Sequence, residues 1–177
     1  MTAAVLTMPG FYDPVACAKI RRAMDHAHAS PAEICAEGFR IDREARRAFD
    51  VEISDDVFEE MQRAMNTILP EVGRFFGISL SRDEGPGFVR YISGGFYGRH
   101  CDVVPDWDTE FPRRISIVLV LSSAGTECEG GTLRLYRPDP FDILPRAGTL
   151  VAFPSQVPHE VLPVTDGVRD VVVDWFY

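Results

Sequence analysis

The run YGRHCD at residues 97–102 ends in three side chains that can ligate a metal or move a proton: His100, Cys101 and Asp102. His100 and Asp102 stand at i and i+2. On an extended segment that spacing puts both on one face and turns Cys101 away. An imidazole and a carboxylate converging in this way suit a divalent metal, but two ligands alone do not hold one. HxD by itself is also the sequence of many surface loops. The competing chemistry is a cysteine nucleophile with its neighbouring histidine as base. It fails on geometry, because adjacent strand residues face opposite ways, and Cys101 reads instead as a small packed hydrophobe.

A third ligand must come from elsewhere, and the chain has only four histidines. His26 and His28 fall in the amino-terminal helical segment and read as helix-surface residues. His159 opens a strand-like run in the same half of the chain as His100. Two histidines and one carboxylate make a facial triad, which leaves positions open on Fe(II) for a co-substrate and oxygen. Arg169 follows in the run VRDVVVDWFY. Alternation there puts Arg169, Val171, Val173 and Trp175 on one face, with Asp170 and Asp174 on the other. An arginine sharing a face with valines and a tryptophan points inward, and buried there it requires an anion. Gly130-Gly131 lacks the following helix that a phosphate loop needs and reads as a hairpin turn.

Such side chains need strands to hold them. From Gly87 onward the sequence runs in short strand-like stretches (FVRYIS, ISIVLVLS, TLRLY, TLVAF, HEVLPV, VRDVVVDWFY) separated by Gly, Pro and Asp. After a helix-bearing half, that rhythm predicts a β-sandwich or barrel with helices covering one sheet from outside, an α+β fold. Asp13 is placed to cap a helix whose first residue is Pro14, with Val15, Ala18, Ile20, Ala23 and Met24 as its buried stripe. A second helix begins after Ser54, with Asp55 and Asp56 in its favourable first turn. Its apolar face is Val57, Met61, Met65, Ile68 and Leu69, and Pro70 kinks or ends it. Between the helices, RRAFDVEI alternates enough for a strand. The stretch CDVVPDWDTEFPRR is long for a connection. The part from Val103 to Arg114 reads equally as a lid over the site or as a surface loop.

Composition narrows the partners. With 177 residues and 46% hydrophobic content, the chain can bury one sizeable core, and its prolines and glycines are scattered, so no linker divides it. A formal net charge of −9 repels phosphate backbones and anionic lipid heads. Nucleic acid and membranes are therefore poor partners, and oligomeric state is left open. The amino terminus has no secretory pattern, and the four cysteines show no CxxC spacing, which together predict reduced thiols in a cytoplasm.

The order and spacing of these pieces resemble the prolyl-4-hydroxylase-type group of Fe(II)/2-oxoglutarate-dependent oxygenases. The matching elements are RY at 90–91, YGRHCD at 97–102, RRISIVLVLS at 113–122 and GGTLRLY at 130–136. They continue with PRAGTLVAFPS at 145–155, HEVLPVTDGVR at 159–169 and the closing WFY; PGFYDP near the start also resembles the family's opening. The resemblance implies a double-stranded β-helix (jelly roll). It makes 1–177 a single oxygenase domain, with a helical support region over 1–85 and a catalytic core over 86–177. It implies that His100, Asp102 and His159 bind Fe(II) and that Arg169, helped by Tyr91, holds the distal carboxylate of 2-oxoglutarate. Tyr97 and Trp175 match positions on the substrate side. The implied co-substrates are 2-oxoglutarate and O2, with ascorbate as a candidate stimulant. The activity it implies is hydroxylation of an unactivated C–H, with release of succinate and CO2; it carries over no substrate, and a small, acidic, single-domain chain leans to a small molecule such as an amino acid. Related halogenases carry a small residue where Asp102 stands, so aspartate favours hydroxylation. Two alternatives stay open: a peptidyl prolyl hydroxylase of the oxygen-sensing type, and a non-catalytic metal-binding jelly roll.

Overall fold

The computed structural model describes residues 4–36, 38–103 and 112–177. Helix α1, Pro14–Asp25, starts where its capping chemistry predicts: the Asp13 carboxylate accepts from Val15 N at 2.6 Å and Ala16 N at 3.3 Å. Its buried stripe is Cys17, Ile20 and Met24. Val15 is 75% exposed, because the first turn rolls it off that face. Helix α2, Asp55–Phe76, buries Met61, Met65, Ile68 and Val72, and Ser54 caps it without a side-chain hydrogen bond. Pro70 does not end it. The residue is exposed, so the one backbone bond it removes faces water. The stop comes at Gly77, whose φ of 67° lets Ile78 N donate to Gly73 O at 3.0 Å.

Fifteen strands are seen among the described residues: β1 Leu6–Met8, β2 His28–Pro31, β3 Ile34–Ala36, β4 Gly38–Arg40, β5 Arg46–Arg47, β6 Phe49–Glu52, β7 Gly87–Ile92, β8 Phe96–His100, β9 Ile115–Val120, β10 Cys128–Gly130, β11 Leu133–Arg137, β12 Asp139–Ile143, β13 Leu150–Pro154, β14 His159–Val161 and β15 Val164–Phe176. The larger sheet runs β1-β13-β9-β15-β7-β6-β2, with β10 also on β15; the smaller runs β12-β11-β14-β8-β5. The pairing is antiparallel throughout, and β3 and β4 form a separate hairpin.

Two cores explain why strand β9 is buried along its whole length and β13 along nearly all of it. On one face of the larger sheet, Ile115, Ile117, Leu119, Leu150, Ala152, Val172 and Phe176 pack against Cys17, Ile20, Met24, Met61, Met65 and Val72 of the helices. On the other face, Val118, Val120, Val151, Phe153 and Val171 meet Leu133, Leu135 and Val161 of the smaller sheet. Successive residues of β9 thus serve different cores. Each buried Ile, Leu or Val contributes roughly 1.5–3 kcal/mol. This is the expected α+β double-stranded β-helix with helices outside one sheet.

The amino-terminal half does more than lend helices. Strands β1, β6 and β2 extend the larger sheet at both ends, and β5 closes the smaller one. The boundary expected near residue 86 therefore separates the helices from most strands without separating the sheets. His26 caps the end of α1 and His28 opens β2, so both lie just past the helix on which they were expected, exposed. Gly130 and Gly131, both at positive φ, link β10 to β11; since β10 pairs with β15, and β11 with β12 and β14, they form no hairpin. Residues 104–111, and with them most of the expected lid, lie outside the described residues.

Candidate active site

A cavity opens between the two sheets, lined among others by Tyr91, Tyr97, His100, Asp102, His159 and Arg169. His100 is the last residue of β8 and His159 the first of β14, and the two are direct partners in the antiparallel register. Their ring centroids lie 4.2 Å apart. Asp102 sits in a bend just beyond β8, and its N–H donates to Ser155 O at 2.9 Å, which fixes the turn. Its two carboxylate oxygens stand 3.4 Å from His100 Nε2 and 3.5 Å from His159 Nε2. One ligand atom from each of the three lies within 4.8 Å of the others, a spacing one cation can bridge.

Backbone and neighbours prepare these side chains. His100 Nδ1 lies 2.8 Å from Gly98 O, and His159 Nδ1 lies 3.0 Å from Val157 O. A proton on each Nδ1, donated to those carbonyls, leaves Nε2 free as a ligand. Tyr97 stacks on His100 at 3.5 Å, and Phe153 meets His159 edge-on at 4.7 Å, so neither imidazole can rotate freely. Ser116 donates to Asp102 Oδ2 at 2.6 Å and lies 3.1 Å from Ser155 Oγ. Burial would raise the Asp102 carboxyl, but the two imidazoles and the Ser116 hydroxyl outweigh it and hold the group well below the usual carboxylate range. Burial, which the nearby Asp102 charge only partly offsets, lowers His159 and so favours its neutral form. A carboxylate oxygen beside two imidazole nitrogens is a donor set for a borderline divalent ion.

Arg169 lies deeper. It is 1% exposed, and its Nε and Nη1 are buried with no hydrogen-bond partner among the described residues. Tyr91, its register partner on β7, places a ring 5.1 Å from the guanidinium carbon. Burial lowers its pKa, and Tyr91, Cys128 and Asp170 offset that only in part. Gly131 explains how the arginine fits: a Cβ at that position would come 2.6 Å from Arg169 Cδ, so only glycine leaves room for the stem.

Val171, Val173 and Trp175 share the cavity wall with Arg169, as alternation predicts. Asp170 and Asp174 take the other face, held by Arg90 and by Glu84 N and Gly85 N respectively. The Trp175 ring lies 3.7 Å from the Arg113 guanidinium carbon, and its Nε1 is buried without a partner among the described residues. Burial pushes the Tyr97 phenol up to about 12, so it stays protonated. Cys101 departs from its expected packing: it is exposed, with Sγ 3.4 Å from Gln156 O, because the strand has already ended at His100.

Sequence reasoning missed Ser116, Gly131 and Arg46. Ser116 hides in the apolar run ISIVLVLS, although it shares the parity of Val118 and Val120 and so faces the site. Gly131 lies in a glycine pair that reads as a turn. Arg46 lines the cavity from the two-residue strand β5, too short to show a period.

Opposed antiparallel sheets with a two-histidine, one-carboxylate cluster at their mouth, and a buried arginine behind it whose Nε and Nη1 have no acceptor among the described residues, define an oxygenase-type jelly roll. Residues 86–177 match the family model described as the 2OG-Fe(II) oxygenase superfamily, and the chain belongs to that family. Its members work with Fe(II), 2-oxoglutarate and O2. A PKHD-type hydroxylase of Rippkaea orientalis is 39% identical over 97 residues, covering 50% of this chain and 40% of the relative. One from Aliarcobacter butzleri is 31% identical over 139 residues, covering 74% and 60%. The chain thus spans about half the length of the curated relatives it matches. A crystal structure of a Pseudomonas putida prolyl-4-hydroxylase superposes with a TM-score of 0.77 at 26% identity, covering 99% of this chain and 92% of that one. No helix among the described residues is long and apolar enough to cross a membrane.

Proposed function

We propose that His100, Asp102 and His159 hold Fe(II), that Arg169 with Tyr91 receives the distal carboxylate of 2-oxoglutarate, and that the chain hydroxylates an unactivated C–H of a small molecule such as an amino acid. One observation carries this reading: Arg169 is fully buried, with Nε and Nη1 unpartnered among the described residues, in the cavity of the three converging ligands. A buried guanidinium without an anion is costly, and a diacid with one end at the cluster supplies one.

Fe(II) with 2-oxoglutarate and O2, when bound, supplies the oxidising chemistry and yields succinate and CO2. The chain's own residues position and exclude. Gly98 and Val157 carbonyls fix the imidazole tautomers, and Ser116 orients the Asp102 carboxylate. Arg169 and Tyr91 orient the diacid, while Leu133, Val161 and Val171 keep its path dry. Tyr97 and Trp175 face the substrate. Asp102 fills a ligand position, which favours hydroxyl transfer. A peptidyl prolyl substrate is the second reading, supported by the similarity to the P. putida prolyl-4-hydroxylase.

The test is succinate release with Fe(II), with and without ascorbate, across free amino acids, other small acids and proline-containing peptides. Substrate-stimulated succinate from a small molecule supports the first reading, and from peptides alone the second. Absence of both succinate formation and 2-oxoglutarate binding would refute the oxygenase assignment.

A further inference from the structure

Arg46 takes the substrate question one step further, granted the reading above. We infer that Arg46 anchors a carboxylate of the substrate on its Nε–Nη2 edge, which makes the substrate a free carboxylic acid of the amino-acid type and not an internal residue of a peptide.

Arg46 stands opposite Tyr97 in the register of β5 and β8, with its guanidinium carbon 4.7 Å from the centre of the Tyr97 ring. Tyr97 in turn stacks on His100. A positive charge therefore sits one aromatic ring away from the metal-competent cluster, on the wall opposite β15. The side chain is 14% exposed. Its Nη1 donates to Glu33 O at 2.7 Å, which pins one arm of the fork. Nη2 makes an ion pair with the half-exposed Asp50 at 3.7 Å, too long for a hydrogen bond, and Nε is buried with no acceptor among the described residues.

That edge is the one this chain uses elsewhere to grip carboxylates. Arg134 places Nε and Nη2 at 2.7 and 2.8 Å from the two oxygens of Asp142, and Arg90 does the same to Asp170 at 2.7 and 2.9 Å. Arg113 holds Glu84 through the same two nitrogens. Of the three arginines lining the cavity, Arg113 is thus satisfied by Glu84, and Arg169 is assigned to the co-substrate. Arg46 retains an edge whose geometry matches a carboxylate bidentately. Glu33 lines the same wall and offers the complementary charge for an ammonium group. Together they suit a zwitterion, in a chain whose net charge would otherwise repel acids.

The experiment uses the protein loaded with Mn(II) and 2-oxoglutarate, titrated calorimetrically with free L-amino acids, their primary amides and proline-containing peptides. Initial rates with Fe(II) then separate kcat from KM. At least one acid should bind about tenfold or more tighter than its amide. Arg46→Gln should erase that preference through KM while leaving 2-oxoglutarate affinity unchanged, and Arg46→Lys should recover part of it. Equal binding of acid and amide, a preference that survives Arg46→Gln, or binding of peptides but no free acid overturns the inference. Each of those results leaves 2-oxoglutarate binding intact, whereas failure of the oxygenase reading would show as loss of 2-oxoglutarate binding in the wild type.

Discussion

Two charged residues stand side by side on β15, both almost fully buried, and their surroundings are opposite. Asp170 faces the helices. Arg90 grips it with two hydrogen bonds, Arg21 of α1 adds a third at 3.2 Å, and its own N–H rests on Ser122 Oγ at 2.8 Å. Arg169 faces the cavity and has no acceptor for Nε or Nη1 among the described residues. A buried charge with a full set of partners is a joint between elements, here tying β7, β15 and α1. A buried charge without one, as at Arg169, is where the proposed anion would bind. The contrast separates structure from function within two consecutive residues.

The largest effect should come from removing the metal ligands that stand in front of Arg169. His100→Ala and His159→Ala should each abolish substrate-stimulated succinate release and weaken Fe(II) binding, whereas Cys101→Ala should retain most of both. Iron loss confined to the cysteine variant would overturn the ligand set.

Next come the two neighbours themselves. Asp170→Ala leaves Arg90 with only the exposed Asp25 as its anion and should cost about 3–5 kcal/mol in urea unfolding. Arg169→Leu should unfold at the same or higher urea concentration, because it removes an unpaired buried charge. It should also raise the 2-oxoglutarate requirement about 10²-fold or more while metal still binds. Matching stability losses in the two variants would erase the distinction.

A third buried charge on β15, Asp174, tests the outer face by pH. Burial, with a smaller push from Asp83, carries its carboxyl up to about 7, although three backbone N–H groups favour the ionised form. Oδ2 has no partner among the described residues. The folded pKa lies above the unfolded value, so the native state binds the extra proton. Stability should be full below about pH 4 for this group and fall as pH rises towards 7, by roughly 4 kcal/mol at most. Asp174→Asn should flatten that slope in urea midpoints measured at stepped pH; an unchanged slope would remove Asp174 as its source.

The smallest effect belongs to Ser116. Its hydroxyl steadies Asp102, so Ser116→Ala should weaken Fe(II) or Mn(II) binding about 10- to 100-fold with little change in 2-oxoglutarate affinity on the metal-loaded protein. Unaltered metal affinity would show that Asp102 needs no such support.

Much of this arrangement is legible without coordinates, because period-2 alternation is a local rule. It places Arg169 and Asp170 on opposite faces from the sequence alone, and HxD with a distant histidine suggests the cluster. What escapes is set by tertiary contact. Arg46 and the β5–β8 and β6–β7 pairings depend on partner strands roughly forty to fifty residues away in the chain. Val15 looks like core until the orientation of α1 is known. Ser116 carries no signal among isoleucines and valines, since a buried hydroxyl is recognised only by what it touches.

The pairing of His159 with His100 has a consequence for how the molecule assembles. β14 holds only three residues and meets β8 through an irregular register. A slip of one residue would turn His159 out of the cavity. An ion held by both histidines and Asp102 would therefore clamp two strands distant in sequence at their correct alignment, and part of its binding energy would appear as resistance to unfolding. Chelation should then loosen the smaller sheet first, so that hydrogen exchange at β8 and β14 reports metal occupancy.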